Sequence, residues 1–135
     1  MSLTLTLAVR DLEHTEIFYR DILLQQVERF SPLPGHPSVL LLRQGDAAVL
    51  FREAAVLETL HPALFKDLDR HAVGVGMTLE FAVGKLKPIL RNIARKKLRT
   101  LYELEDEEFN RREVWLHDPD GYLVVLNEEE AREET

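Results

Sequence analysis

Residues Leu79 to Leu86 repeat residues Leu5 to Leu12 without a gap, at an offset of 74. Four of the eight paired positions are identical, and Phe81 stands conservatively for Leu7 at a fifth. An internal duplication constrains a fold more than any single element does, because each copy must build the same supersecondary unit.

Both copies are embedded in the same order of elements. Leu3, Leu5, Leu7 and Val9 alternate with Thr4, Thr6 and Ala8, the pattern of a half-buried strand. Asp11 offers a capping oxygen to a helix whose apolar stripe, Leu12, Ile17, Phe18, Ile22 and Leu23, runs to about residue 24. Gln25 to Phe30 reads as a strand, and the proline-rich Ser31 to Pro37 as a loop, since proline cannot donate to a ladder. Val39 to Arg43 and Ala47 to Arg52 form a hairpin through Gln44-Gly45-Asp46. Glu53 to Ala72 is a mixed polar stretch in which Leu60, Leu64, Phe65 and Leu68 have the spacing of a short helix. Past Gly74 and Gly76 the repeated strand leads into a helix from Lys85 to Leu98, with Pro88 in the first turn, where proline is tolerated. Leu101 to Glu105, Glu113 to His117 and Tyr122 to Asn127 follow as three strands. The expected fold class is α+β: two βαβββ repeats forming a cupped mixed sheet with helices on its convex face. The expected organisation is a single domain over 1–135, with a first half at about 1–54, a linker at about 55–72, a second half at about 73–128 and an acidic tail at 129–135.

Composition excludes several functions. A net charge of −7 disfavours nucleic acid, whose affinity rests on Lys and Arg releasing counterions. The basic run Lys85, Lys87, Arg91, Arg95, Lys96, Lys97 and Arg99 lacks aromatic interleaving and reads as a solvated face, balanced by Glu103 to Glu108. The absence of cysteine removes disulfides, thiolate zinc sites and Cys nucleophiles. No stretch is apolar enough to span a bilayer, and the start lacks a signal peptide's features, so a cytoplasmic protein is expected.

Ala8-Val9-Arg10-Asp11-Leu12, followed by Phe18-Tyr19, resembles the opening of glyoxalase, bleomycin-resistance and extradiol dioxygenase proteins, the vicinal oxygen chelate superfamily. Arg112-Glu113-Val114-Trp115-Leu116-His117-Asp118-Pro119-Asp120-Gly121-Tyr122-Leu123-Val124-Val125 resembles the last hairpin of the bleomycin-resistance branch. The Asp-Pro-Asp-Gly segment also has a sufficient structural reading, because proline presets one turn dihedral and glycine accepts a positive one.

The resemblance implies a divalent metal held by His or Glu from the first strand of each half and Glu from the last strands, the ligands such metals take. At the first-strand positions this chain has Thr4 and Thr78, and four residues past the turn glycine it has Val125. At the end of the first half the nearest residues are Val49 and Phe51, neither of which ligates. No metal and no other cofactor is therefore expected. His14, His36, His61 and His71 fall on a helix face, in loops or in the linker, so a rescued metal site would need His117, Glu113 and Glu80.

Alternation assigns Leu5, Leu7, Val9, Leu79, Phe81, Val83, Val114, Leu116, Val124 and Leu126 to the face under the helices. Thr4, Thr6, Thr78, Glu80, Glu113, Trp115, His117, Val125 and Asn127 are left for the other face, a binding-site composition. Trp115 can stack on a planar ligand while Glu80 and Glu113 attract positive charge. Equally, Trp115 suits a core or dimer interface, and the glutamates suit partners for Arg111 and Arg112. Two functions stay open: a metal-free protein binding a cationic or aromatic small molecule, or an enzyme of the same fold, lyase, isomerase or dioxygenase-like, with atypical ligands or acid/base chemistry on Glu113 or His117. The bleomycin-resistance resemblance implies a homodimer. No nucleic-acid or membrane partner is expected.

Overall fold

Asp11 converts the first strand into the first helix: its Oδ1 accepts hydrogen bonds from the backbone N–H of Glu13 at 2.8 Å and of His14 at 3.4 Å. The computed structural model describes residues 3–108 and 111–128. Residues up to Val73 form one compact unit and those from Gly74 onward a second.

In the first unit β1 (Leu5–Val9) leads into α1 (Leu12–Glu16), then β2 (Gln26–Phe30), β3 (Val39–Gln44) and β4 (Ala47–Glu53). The strands form one mixed sheet in the order β1-β4-β3-β2, with β1 parallel to β4 and the other pairs antiparallel. After α1 the helix widens into a π segment, Ile17–Ile22, in which the Leu23 N–H donates to the Phe18 carbonyl five residues back. The continuous α-helix to about residue 24 is thus corrected: the segment ends with Leu24 at φ 58°. Apolar spacing does not separate the two hydrogen-bond registers, since Phe18, Tyr19, Ile22 and Leu23 are buried as the stripe requires. Tyr19 lies between Phe18 and Phe51, with ring centroids 5.0 Å from each.

Leu7, Val9, Leu40, Leu42 and Phe51 fill the core face of this sheet. Leu5 does not join them. It is 41% exposed at the start of β1, whereas its counterpart Leu79 at the start of β5 is buried. The stretch after β4 holds α2 (Ala54–Leu60), α3 (Pro62–Phe65) and a 3₁₀ turn (Leu68–Arg70) in place of one short helix. Its spacing residues Leu60 and Leu64 are exposed, and Leu57 is the residue it buries.

The second unit repeats the plan. Here β5 (Leu79–Val83) leads through α4 (Lys87–Arg95) to β6 (Tyr102–Asp106), β7 (Arg111–His117) and β8 (Leu123–Glu128), in the order β5-β8-β7-β6. The parallel pair is again first strand with last. The fold is α+β with a duplicated βαβββ layout, each copy carrying its own four-stranded mixed sheet. Helix α4 is shorter than the expected Lys85 to Leu98: the Leu98 N–H bonds back to the Ile93 carbonyl, and Lys97 sits at φ 55°, which closes the helix. It buries Leu86, Ile89 and Ile93 on one side. Leu79, Phe81, Val83, Val114, Leu116, Val124 and Leu126 are all buried, as their alternation requires. The acidic segment 129–135 lies outside the described residues.

Two local devices fix the ends of this unit. Asp118, 5% exposed, uses one carboxylate oxygen to accept from the N–H groups of Asp120, Gly121 and Tyr122, each at 2.9 Å. That closes the Asp-Pro-Asp-Gly turn and sets the β7–β8 register. Gly74, at φ 64°, faces Tyr122 so closely that a Cβ there would lie 2.6 Å from the ring's Cδ1. Only glycine satisfies both conditions.

Candidate functional site

Strand register sorts the second unit's open face into rows. Glu80 on β5 is level with Val125 on β8, which is level with Trp115 on β7, which is level with Tyr102 on β6. The next row reads Ala82, Asn127, Glu113 and Leu104. The sequence-predicted residues Glu80, Glu113, Trp115 and Asn127 therefore occupy neighbouring positions on one sheet face. Tyr102 belongs with them and was missed, although its place opposite Trp115 follows once the β6–β7 pairing is known.

The side chains in these rows are tied to one another. The Trp115 indole Nε1–H donates to Glu113 Oε1 at 2.5 Å, and Arg111 lies 3.6 Å from Glu113 Oε2. Both oxygens of Glu113 are thus engaged, so it holds the indole in place more than it attracts a ligand. Asn127 Nδ2 donates to Glu80 Oε1. Tyr102 meets Trp115 edge to face, with centroids 6.2 Å apart and planes at 87°. Tyr102 is 51% exposed and Trp115 half-buried, which leaves an aromatic surface open on the β6–β7 side. Val125, between Glu80 and Trp115, is buried to 2%.

The other expected positions are more dispersed. His117 is exposed at the end of β7, level with Leu123, and Thr78 is exposed just before β5. Thr4 and Thr6 belong to the first unit and are exposed at and before the start of β1. A cleft of about 180 Å³ on the β6–β7 ladder is lined by Glu103, Leu104, Glu105, Arg112, Glu113 and Val114. It touches the site through Glu113 but is smaller than the usual 300–1,000 Å³ of a small-molecule pocket.

Register also corrects the remaining metal-ligand position. Thr6 pairs with Leu50 as Glu80 pairs with Val125, so Leu50 is the counterpart of Val125. Val49 and Phe51 point to the opposite face, and Phe51 is fully buried in the core. The positions that the resemblance implies for a metal, with Leu50 as the first-half counterpart of Val125, thus carry Thr4, Leu50, Thr78 and Val125. Two hydroxyls and two aliphatic side chains do not fit a divalent metal, which takes imidazole and carboxylate donors. Among the described residues no group of three or more His, Asp or Glu side chains could hold an ion, so Glu80, Glu113 and His117 do not form the substitute site either.

With this geometry in hand, comparison with known proteins decides the family. The chain is 30% identical over 131 residues to the mitochondrial methylmalonyl-CoA epimerase of Mus musculus, covering 90% of this chain and 68% of that protein. It belongs to the vicinal oxygen chelate superfamily. No family model matches the chain. Among solved structures, a lactoylglutathione lyase from Agrobacterium tumefaciens is similar with a TM-score of 0.60 at 18% identity, covering 95% of this chain and 92% of that one. A protein of unknown function from Agrobacterium tumefaciens reaches 0.67 at 21% identity, covering 96% and 94%. At these identities the structural likeness concerns the fold, and fold alone does not assign chemistry. No helix among the described residues is long and apolar enough to cross a membrane.

Proposed function

We propose that this chain is a metal-free small-molecule-binding protein of the superfamily, which takes a planar aromatic or cationic compound on the face carrying Trp115, Tyr102 and Glu80. The observation that carries the reading is the preorganised aromatic pair: Glu113 pins the indole by hydrogen bond and Tyr102 packs on its edge. A ring fixed before the ligand arrives loses little freedom on binding, and aromatic faces attract both planar rings and cations. Glu80 supplies the negative charge, since its second oxygen is not committed to Asn127. Thr78, His117 and Asn127 border the same face in the second unit, and Thr4 and Thr6 hold the positions of Thr78 and Glu80 in the first unit. The replaced ligand positions favour binding without a metal. We further propose a homodimer and a cytoplasmic location.

Titration of intrinsic Trp115 fluorescence with planar cations, checked by calorimetry, tests the reading. Trp115 is the single tryptophan, so the signal is local. Quenching with measurable heat is the expected result; no change in either across a panel of planar cations overturns it.

The likeness to an epimerase favours a second reading, an enzyme of the same fold working by acid/base chemistry on His117 or Glu113. His117 is the better group of the two, because it is exposed while both Glu113 oxygens are engaged. Elemental analysis of the purified protein tests the premise that both readings share: a stoichiometric transition metal would reject both metal-free mechanisms.

A further inference from the structure

The hydrogen bonds on the second unit's open face use up donors and turn acceptors outward. Trp115 Nε1–H donates to Glu113 Oε1, the Arg111 guanidinium lies against Glu113 Oε2, and Asn127 Nδ2 donates to Glu80 Oε1. A carboxylate only accepts, so the Asn127 amide must present its nitrogen to Glu80, and its oxygen Oδ1 then lies on the far branch of the amide. Two acceptor oxygens therefore border the middle of the face, Glu80 Oε2 on β5 and Asn127 Oδ1 on β8. The indole cannot donate to a ligand without releasing Glu113. Val125 is level with both Glu80 and Trp115 and gives an apolar floor between them. Glu80 and Trp115 stand two strand spacings apart, about 9.5 Å, a gap on the scale of one aromatic ring with a polar substituent.

From this we infer that the face selects cations whose charge is carried on a fork of N–H donors, a planar amidinium, guanidinium or aminopyridinium, over cations of the same size that have no N–H. The inference rests on the planar-cation reading above and narrows its ligand class. The ligand ring packs against Trp115 and Tyr102 over Val125, and its donors reach Glu80 Oε2 and Asn127 Oδ1. Hydrogen bonds with an ionised partner are roughly twice as strong as neutral ones, and a donor fork adds geometric selection to them. An N-alkylated cation sets apolar carbon against both oxygens, and an acceptor stripped of water with no donor in its place weakens the complex. Asn127 is then a specificity residue: its nitrogen holds one Glu80 oxygen, and its own oxygen meets the ligand.

Benzamidine and N-methylpicolinium are planar, single-ring monocations of similar size, the first with N–H donors and the second with none. Each is titrated into the full-length protein while the indole N–H resonance of Trp115, the single tryptophan, reports occupancy. Benzamidine is expected to bind about tenfold more tightly, the worth of one hydrogen bond to a charged group. Asn127→Leu and Glu80→Gln each narrow that ratio to about threefold or less, whereas a general disturbance of the face lowers both affinities and keeps the ratio. Equal affinities in the unsubstituted protein, or a ratio that neither substitution narrows, overturn the inference and leave the planar-cation reading standing. No response of Trp115 to either probe overturns that reading and the inference with it.

Discussion

The Glu128 carboxylate accepts a hydrogen bond from the Leu86 backbone N–H at 3.0 Å, and Glu53 stands in the same relation to Leu12 at 3.4 Å. In each half, the last residue of the last strand closes the turn between the first strand and its helix. Val9 is level with Glu53 and Val83 with Glu128, so the duplicated register produces the duplicated clasp. The two helices depend on it unequally. Asp11 already caps α1 through its own side chain, whereas α4 has no side-chain cap in its own sequence.

Glu128→Ala is therefore expected to destabilise the protein by about 1–2 kcal/mol, the range for losing a partly exposed charge-assisted bond at a helix start. Glu53→Ala costs less, because its bond is longer and Asp11 remains. Urea unfolding of both variants measures the difference, and equal losses would contradict the asymmetry.

Gly74→Ala meets two obstacles at once. Its φ of 64° is disfavoured for an L side chain, and the new methyl would fall 2.6 Å from the Tyr122 ring. The expected loss is about 2 kcal/mol or more, from left-handed strain together with overpacking. Combining Gly74→Ala with Tyr122→Ala removes the clash but leaves the strain, so a double-mutant cycle recovers part of the loss; strict additivity would show that the ring contact is irrelevant.

Asp118→Ala strips three backbone N–H groups of their shared side-chain acceptor in a partly buried turn. A loss of about 1–3 kcal/mol is expected, carried mainly by the buried Tyr122 N–H, since the Gly121 N–H keeps the Asp118 carbonyl at 3.1 Å. Asp118→Asn keeps an acceptor oxygen and recovers most of it. Thermal or urea unfolding reads both.

The duplication made most of this fold legible. Asp11 as a cap, the hairpin through Gly45 and the buried alternation of Leu79, Phe81 and Val83 follow from local pattern, and the Thr4 and Thr78 positions from the resemblance. Leu50 did not follow, for a specific reason. The first strands repeat at an offset of 74, but Leu50 and Val125 are 75 apart, so the second half carries one additional residue before its last strand. Extending the first offset points to Phe51, and a one-residue slip moves a strand position to the opposite face. The π segment was hidden because its apolar stripe equals that of an α-helix. Tyr102 was hidden because pairing across β6 and β7 brings it to Trp115, and only the register of that hairpin reveals the neighbour.

The two glutamates beside Trp115 are alike in sequence and different in function on the proposed reading. Both Glu113 oxygens are taken, by the indole and by Arg111, whereas Glu80 has one oxygen held by Asn127. Glu80→Gln is expected to weaken binding of a planar cation by about threefold, the effect of one exposed charge at moderate ionic strength, with the loss shrinking as salt rises. Glu113→Gln changes charge next to a committed partner. It keeps an acceptor for the indole and leaves affinity almost unaltered, while Glu113→Ala frees the ring and lowers affinity through lost preorganisation. Trp115→Leu abolishes the stacking surface and the fluorescence signal together, so calorimetry must measure that variant. If Glu113→Gln weakens a cation more than Glu80→Gln does, the ligand is reaching Glu113 directly and the hydrogen bond to Trp115 must open for it to bind.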